Sequence, residues 1–414
     1  MPFADAASSL TVGFRLWFYG YHVTANGQMN LARVKELANL AAGPEAAALQ
    51  AVAGPPATVD LVAEGPWLPA QEILFRNTPL AAPMRRPARV PSDLAAEANP
   101  AADVLSGTVT FRNANWRASY LANRVLISAA TLHLAYGKLR WDPVLFSYGP
   151  LKGTASVTLP ADCQGPAPCP VRFDAHLSNL KVDDLQAALL GVHERGALLA
   201  TLIESLHLAS PPAWPPLEGT VQANSLALGP VTLERPVAAL RIFPSGAEIT
   251  NLTARVLGGQ VQASGTFTRP NDDDGRPVYA LQASFAKLRA PEVGKLLGMR
   301  WSGGAFNAEG KIHLSGFTAR ELAASAKGTL QFEWQGGAVG HQFSASSKAG
   351  AAEAIPAVLG RFDRWTGEAR IDRGALTLRR SEVLAAGAKH TVEATLTLGD
   401  SPRVSFAVPA AKPR

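Results

Sequence analysis

The chain contains 414 residues, of which 47% are hydrophobic and 17% are charged, and it carries a formal net charge of +6. This length exceeds that of one ordinary compact core, and the composition is that of a folded protein rather than a disordered one. The basic excess is spread thinly, and its densest cluster, at residues 84–89, lacks the interleaved aromatic residues or recognition helix of nucleic-acid-binding proteins. No nucleic-acid partner is therefore predicted.

The first predicted segment, residues 1–78, is β-rich and contains a short helix at residues 31–40. Residues 16–32 lack charged side chains, but glycine, histidine and amide residues interrupt them, and a membrane-spanning helix needs about 20 mainly apolar residues. The opening residues also lack the basic and apolar regions of a signal peptide. A linker follows at residues 79–106, marked by Pro79, Pro83, Pro87, Pro91 and Pro100.

A β unit is predicted at residues 107–216, with an amphipathic helix at residues 183–208. Cys163 and Cys169 precede that helix and are separated by turn-forming residues. Their spacing matches no CxxC redox motif, and two thiols alone make a poor zinc site, which leaves a disulfide clasp or two inert thiols. A disulfide that closes so short a loop would stabilise the fold by about 2 kcal/mol, and we expect the disulfide.

Two further β units are predicted at residues 217–327 and 328–414. Apolar and polar side chains alternate in segments such as residues 260–268, and this period of two is typical of strands with one apolar and one polar face. Antiparallel sheets tolerate that arrangement. Gly-Thr pairs that begin at positions 107, 219 and 328 each open a strand-rich run, which indicates an array of like units. The predicted fold class is therefore mainly β with short helices.

The apolar faces of the central and C-terminal strands are the candidate binding surface. Few helices are available to cover a sheet that has one apolar face, so an open apolar trough is expected. Aliphatic chains are the ligands that would suit such a trough. Eight side chains are predicted to line this trough: Val261, Phe267, Ile312, Leu314, Leu330, Phe332, Val392 and Leu396.

No motif in the sequence indicates catalysis or a bound metal. The chain has no GxxxxGK[ST], GxGxxG or GxSxG sequence, and no two of its eight histidines lie three or four residues apart. Residues 271–275 are rich in Asp but lack the spacing of an EF-hand, so a hairpin turn is expected there. We therefore expect no catalytic residue, no metal site and no cofactor.

Three segments resemble the C-terminal region of the AsmA family. Residues 257–267 resemble its glycine-bounded strand, and residues 314–325 resemble its segment in which Leu-Ser-Gly precedes a helix. Residues 367–376 resemble its late strand pair, where Arg373 interrupts the Asp-Gly of the family pattern. The resemblance is good over about the last 200 residues and weaker over residues 107–216.

The AsmA resemblance implies both an architecture and a location. Long members of that family resemble repeating β-groove proteins that pass phospholipid between membranes, and the family is linked to outer-membrane assembly. By this resemblance the chain would form an elongated, curved antiparallel sheet, a repeating β-groove with an open apolar face closed on one side by short helices. It would be periplasmic and anchored in the inner membrane through an N-terminal segment that lies outside this chain.

Three functions stay open at the level of sequence. The first is a non-catalytic envelope protein that binds or conducts phospholipid acyl chains in an apolar groove, has the bacterial inner or outer membrane as partner, and supports outer-membrane homeostasis. The second is a structural or assembly module that contacts outer-membrane proteins through its sheet edges. The third is an all-β enzyme acting on envelope polysaccharide, which would require a cleft with two facing carboxylates.

Overall fold

The computed structural model describes residues 9–17, 20–42, 47–66, 104–117, 123–135, 138–159, 170–181, 184, 215–268, 276–316, 319–340, 355–397 and 403–407. The chain divides into two compact units. Unit 1 comprises residues 1–178 and 187–219, and unit 2 comprises residues 179–186 and 220–414.

Unit 1 is built mainly from strands that pair antiparallel with their neighbours along the chain. The pairs run from β1–β2 through β2–β4 and β4–β5 to β8–β9, and the short β3 pairs with β5. The strands are β1 (Leu10–Trp17), β2 (Gly20–Met29), β3 (Val52–Ala53), β4 (Ala57–Pro66), β5 (Val104–Trp116), β6 (Val125–Ala135), β7 (Lys138–Tyr148), β8 (Leu151–Leu159) and β9 (Val171–Lys181), whose last three residues belong to unit 2.

Two short helices accompany these strands, α1 (Leu31–Ala42) and α2 (Ala47–Gln50). The core of unit 1 lies on one face of the strands, as their alternating sequence requires. In β4, Val59 and Leu61 are buried whereas Asp60 between them is exposed. Val34 and Ala38, one helical turn apart on α1, are buried in the same cluster, so the helix covers this apolar face.

Unit 2 repeats this construction. Antiparallel pairs join β11 through β14, then β14 to β16, β16 through β19, β19 to β21 and β21 to β22, while β15 pairs with β17 and β20 with β19. The strands are β10 (Leu217–Leu228), β11 (Val231–Phe243), β12 (Gly246–Val256), β13 (Gly259–Thr268), β14 (Val278–Arg289), β15 (Arg300–Ser302), β16 (Ala305–Ser315), β17 (Lys327–Gly340), β18 (Phe362–Asp372), β19 (Ala375–Ala385), β20 (Ala388–Thr391), β21 (Glu393–Thr397) and β22 (Arg403–Ala407).

Three short helical elements belong to unit 2: α3 (Ala290–Leu296), α4 (Ala319–Ser325) and a 3₁₀ helix (Ala357–Gly360). Proline lies in the first turn of α3, where its missing N–H leaves no hydrogen bond unmade. Leu359 of the 3₁₀ helix is fully buried, in one cluster with Trp334, Val383 and Val392. This helix therefore packs on the apolar side of the unit 2 strands.

The predicted fold class, mainly β with short helices, is confirmed. The strand pairs named above are all antiparallel, as predicted. One predicted strand differs in detail: residues 390–398 contribute to two short strands, β20 and β21. Val392 separates them, and its side chain is fully buried.

Several predictions fall on residues outside the described ranges. They are the Cys163–Cys169 disulfide, the turn at residues 271–275, most of the helix at residues 183–208 and most of the linker at residues 79–106. β5 begins at Val104, inside the range predicted as linker. In the described parts of the chain, no helix is both long enough and apolar enough to span a bilayer.

Candidate functional site

The candidate site is the apolar face of unit 2, defined here as the side of β13 through β21 that carries the predicted trough residues. Residues directly opposite each other in an antiparallel pair project to the same face of the sheet. Phe267 of β13 lies opposite Tyr279 of β14, and Tyr279 lies opposite Leu314 of β16. Leu281 likewise lies opposite Ile312. The register therefore brings these side chains from three strands onto one surface.

The same alignment continues across the later strands. Leu330 of β17 lies opposite Ala369 of β18, and Ala369 lies opposite Leu378 of β19. Leu396 of β21 lies opposite Leu376 of β19. Because the neighbouring positions along each strand point the other way, the apolar face is continuous and the reverse face is polar.

Large aromatic residues fill the closed part of the apolar face. The ring of Trp334 lies 4.5 Å from that of Trp301 and 4.9 Å from that of Phe362, measured between centroids. Trp365 adds an edge contact to Phe332 at 5.4 Å. Trp334 is fully buried, so this part of the face is a packed protein core rather than an accessible surface.

The polar atoms of two of these tryptophans are satisfied locally. The indole N–H of Trp334 donates to the carbonyl oxygen of Gly303 over 3.1 Å, and that of Trp365 donates to the hydroxyl of Ser381 over 2.6 Å. Ser381 is itself buried, with 3% of its surface exposed. Such pairs allow large amphipathic rings to be buried without leaving an unmade hydrogen bond.

The open part of the apolar face consists of Phe267, Tyr279, Leu281, Ile312 and Leu314. None of these five residues belongs to the buried core cluster of unit 2, and each has a partly or largely exposed side chain. Leu281 is 36% exposed, and the rings of Phe267 and Tyr279 lie 5.3 Å apart. This part of the face therefore presents apolar side chains that the described residues leave incompletely covered.

Glycines recur on the apolar face, and large neighbours lie over them. A Cβ atom at Gly265 would come within 2.6 Å of the Leu281 side chain, and one at Gly367 within 2.7 Å of the Phe332 ring. The larger side chain of each cross-strand pair thus occupies the space above the glycine. This arrangement makes the apolar face flatter and keeps its strands closely packed.

The structure distributes the eight predicted trough residues over three environments. Val261, Val392 and Leu396 are buried, with Val261 and Val392 in the core cluster of unit 2. Leu330 and Phe332 are partly buried and pack against that cluster. Only the remaining three lie on the open part: Phe267, Ile312 and Leu314. The binding role of all eight residues stays a prediction.

Sequence reasoning missed two residues of the open part, Tyr279 and Leu281. The signal was present, because both share the period-two alternation of β14 with Ala283 and Phe285. No group of three or more His, Cys, Asp or Glu side chains suited to hold a metal ion is found among the described residues.

The fold and this surface define a mainly β protein whose sheet has one apolar and one polar face. No protein-family model, no curated protein and no solved structure matches the chain.

Proposed function

We propose that this protein binds the acyl chains of phospholipid on the open part of the apolar face and catalyses no reaction. The supporting observation is the contiguity of Phe267, Tyr279, Leu281, Ile312 and Leu314 across β13, β14 and β16. Contiguous apolar surface that remains partly exposed is typical of a binding surface. Flexible aliphatic chains suit it because it offers apolar contact without charged side chains among these five residues.

The expected affinity is modest. Each methylene group transferred from water to an apolar surface contributes about 0.8 kcal/mol, so burial of about six methylenes would contribute about 5 kcal/mol. Such a free energy corresponds to a dissociation constant between about 0.1 and 1 mM for the isolated chain. Binding of this strength is reversible, as the carriage of a lipid requires.

The wider role that we propose rests on the AsmA resemblance. The protein would act in the periplasm of a bacterium, bind or conduct phospholipid between the inner and outer membranes, and support outer-membrane assembly. The one-sided sheet of unit 2 is compatible with that role because one face can contact lipid while the other stays in water. Fold-level analogy alone does not assign function, so lipid binding has to be tested directly.

The test compares two aspartate variants of β13 and β16. Ile312→Asp places a charge on the open part, where desolvation by an acyl chain would be costly, whereas Thr266→Asp places the same charge on the exposed polar face. Mass spectrometry of organic extracts should recover phospholipid from gently purified parent protein and from Thr266→Asp, but much less from Ile312→Asp. Circular dichroism checks that both variants are folded.

Either of two results would contradict lipid binding. One is a folded Ile312→Asp variant that retains as much phospholipid as the parent protein, and the other is a parent protein that yields none. Phe332→Asp and Leu396→Asp are less suitable variants, because Phe332 packs against the core and Leu396 is only 8% exposed. A charge at either position would oppose folding itself.

A second candidate function, an assembly module that contacts outer-membrane proteins, is favoured by β1. Phe14 and Leu16, two positions apart on that strand, are 69% and 63% exposed. Large apolar side chains displayed side by side on a strand are suited to protein contact. If this candidate is correct, Phe14→Ser should reduce cross-linking to outer-membrane proteins while leaving lipid recovery unchanged. Unchanged cross-linking would exclude a role of this strand.

A further inference from the structure

A cationic depression lies on the polar face of unit 2, over β16, β17, β18 and β19. Its volume is about 630 Å³. Five basic residues line it: Lys311, Lys327, Arg370, Arg373 and Arg379. Two acidic residues, Glu368 and Asp372, also contribute, so the lining carries a net of three positive charges with His313 neutral. A depression lined by charge of one sign attracts ions of the opposite sign.

The strand register centres three of these cations on Thr329. Lys311 of β16 lies directly opposite Thr329 on one side, and Arg370 of β18 lies directly opposite it on the other. Lys327 precedes Thr329 by two residues on β17 and so projects from the same face. Neighbouring strands are about 4.8 Å apart, so the three basic residues originate within about 7 Å of Thr329.

The basic residues of the depression lie near two acidic residues but are not held in ion pairs with them. None of the five forms an ion pair within the described ranges, although Asp372 lies opposite Lys327 and Glu368 lies opposite Arg379 in the register. The acidic side chain of Glu368 lies 3.9 Å from the guanidinium of Arg380, which is 88% exposed and outside the lining. Lys389, elsewhere in unit 2, is held in an ion pair with Glu382 at 2.8 Å. The lining as a whole keeps a net positive charge, which a bound anion would offset.

We propose that this depression binds the phosphoryl group of an anionic ligand. Arginine offers a planar fork of donors that matches phosphate oxygens, lysine offers a point charge, and the hydroxyl of Thr329 at the centre offers a further donor. None of the described lining residues is Phe, Tyr or Trp, which disfavours stacking of nucleotide bases. The sheet separates the depression from the apolar face, so this inference does not depend on acyl-chain binding.

Two sources could supply such a phosphoryl group, a soluble phosphorylated compound or the head group of an anionic lipid at a membrane surface. The experiment has one arm for each source. Calorimetry at low ionic strength measures binding of tripolyphosphate, and co-sedimentation measures binding to phosphatidylcholine vesicles with and without phosphatidylglycerol. Binding of tripolyphosphate alone assigns a soluble ligand. Binding that requires phosphatidylglycerol assigns a head group.

Three variants test whether the binding is local. In whichever arm the parent protein binds, Lys311→Gln combined with Arg370→Gln should weaken binding about tenfold or more, because two charge-assisted contacts are lost. Thr329→Val should weaken it about threefold or more without changing the net charge, because one hydrogen bond from an uncharged donor is lost. Lys389→Gln, which removes an ion-paired lysine elsewhere in unit 2, should leave it unchanged.

The substituted side chains at positions 311, 329 and 370 are exposed, so the variants should fold, and circular dichroism checks this. Two outcomes would overturn the proposal. One is a parent protein that binds neither tripolyphosphate nor phosphatidylglycerol vesicles. The other is a Lys389→Gln variant that loses as much binding as the Lys311→Gln, Arg370→Gln pair, since that would show attraction to net charge alone.

Discussion

Replacement of Ser381 by alanine tests how the aromatic core beneath the apolar face is held together. The Ser381 hydroxyl is buried and accepts a 2.6 Å hydrogen bond from the indole N–H of Trp365. Alanine removes the acceptor and leaves a buried donor without a partner, which costs about 1–3 kcal/mol. The free energy of unfolding should therefore fall by about 2 kcal/mol, whereas the cavity left by one oxygen atom is small.

Urea unfolding followed by tryptophan fluorescence measures this change, with the transition midpoint compared at constant slope. Ser128→Ala is the matched control, because its hydroxyl is exposed and donates to the Leu145 carbonyl oxygen at 3.1 Å. Its effect should stay within about 0.5 kcal/mol. The double variant with Trp365→Phe should lose less than the sum of the two single losses. A Ser381→Ala variant as stable as the control would show that the hydrogen bond does not matter and refute the reasoning.

Four further outcomes are expected. Leu359→Ala should lower the free energy of unfolding by about 2–5 kcal/mol, because this fully buried side chain fills the core. A loss below about 0.5 kcal/mol, as expected for an exposed residue, would contradict that packing. Gly304→Ala should cost about 3 kcal/mol in the same assay, because φ is +67° and the added Cβ would lie 1.7 Å from the Gln335 carbonyl oxygen. Arg370→Gln should raise the free energy of unfolding at low salt by about 0.2–1 kcal/mol, and this gain should vanish at high salt because the repulsion between the basic residues is screened. Alkylation of unreduced protein exported to the periplasm should leave its mass unchanged if Cys163 and Cys169 are paired, whereas two added alkyl groups would disprove the disulfide.

The sequence predicts the strand content well because period-two alternation is a local property. It identifies β13 almost to its ends, since Val261 and Phe267 alternate with polar residues over the whole segment. The break at Val392 was not predictable in this way. The alternation continues through that position, but a buried side chain between two short strands interrupts the ladder. Tertiary packing decides such interruptions.

Which residues come together in a site depends on the register between strands, and the residue pattern of one strand does not determine that register. Trp301, Trp334 and Trp365 are scattered along the sequence, and only the pairing of Trp334 with Trp365 and of β15 with β17 brings them together. Lys311 and Arg370 are separated by 58 positions, yet one residue of β17 lies between them in the sheet. A shift of one residue in either pairing would send one of them to the opposite face.

Large side chains cover glycines on the apolar face, and this arrangement lets the surface adapt to ligands of different shapes. Where Leu281 covers Gly265 and Phe332 covers Gly367, the floor of the surface is backbone, and the covering side chain is its movable part. A rotamer change of Leu281, which is already 36% exposed, would uncover a shallow notch the size of one side chain without bending any strand. The shape of the surface can therefore change at each such pair by a change of side-chain rotamer, while the backbone hydrogen bonds between the strands stay in place.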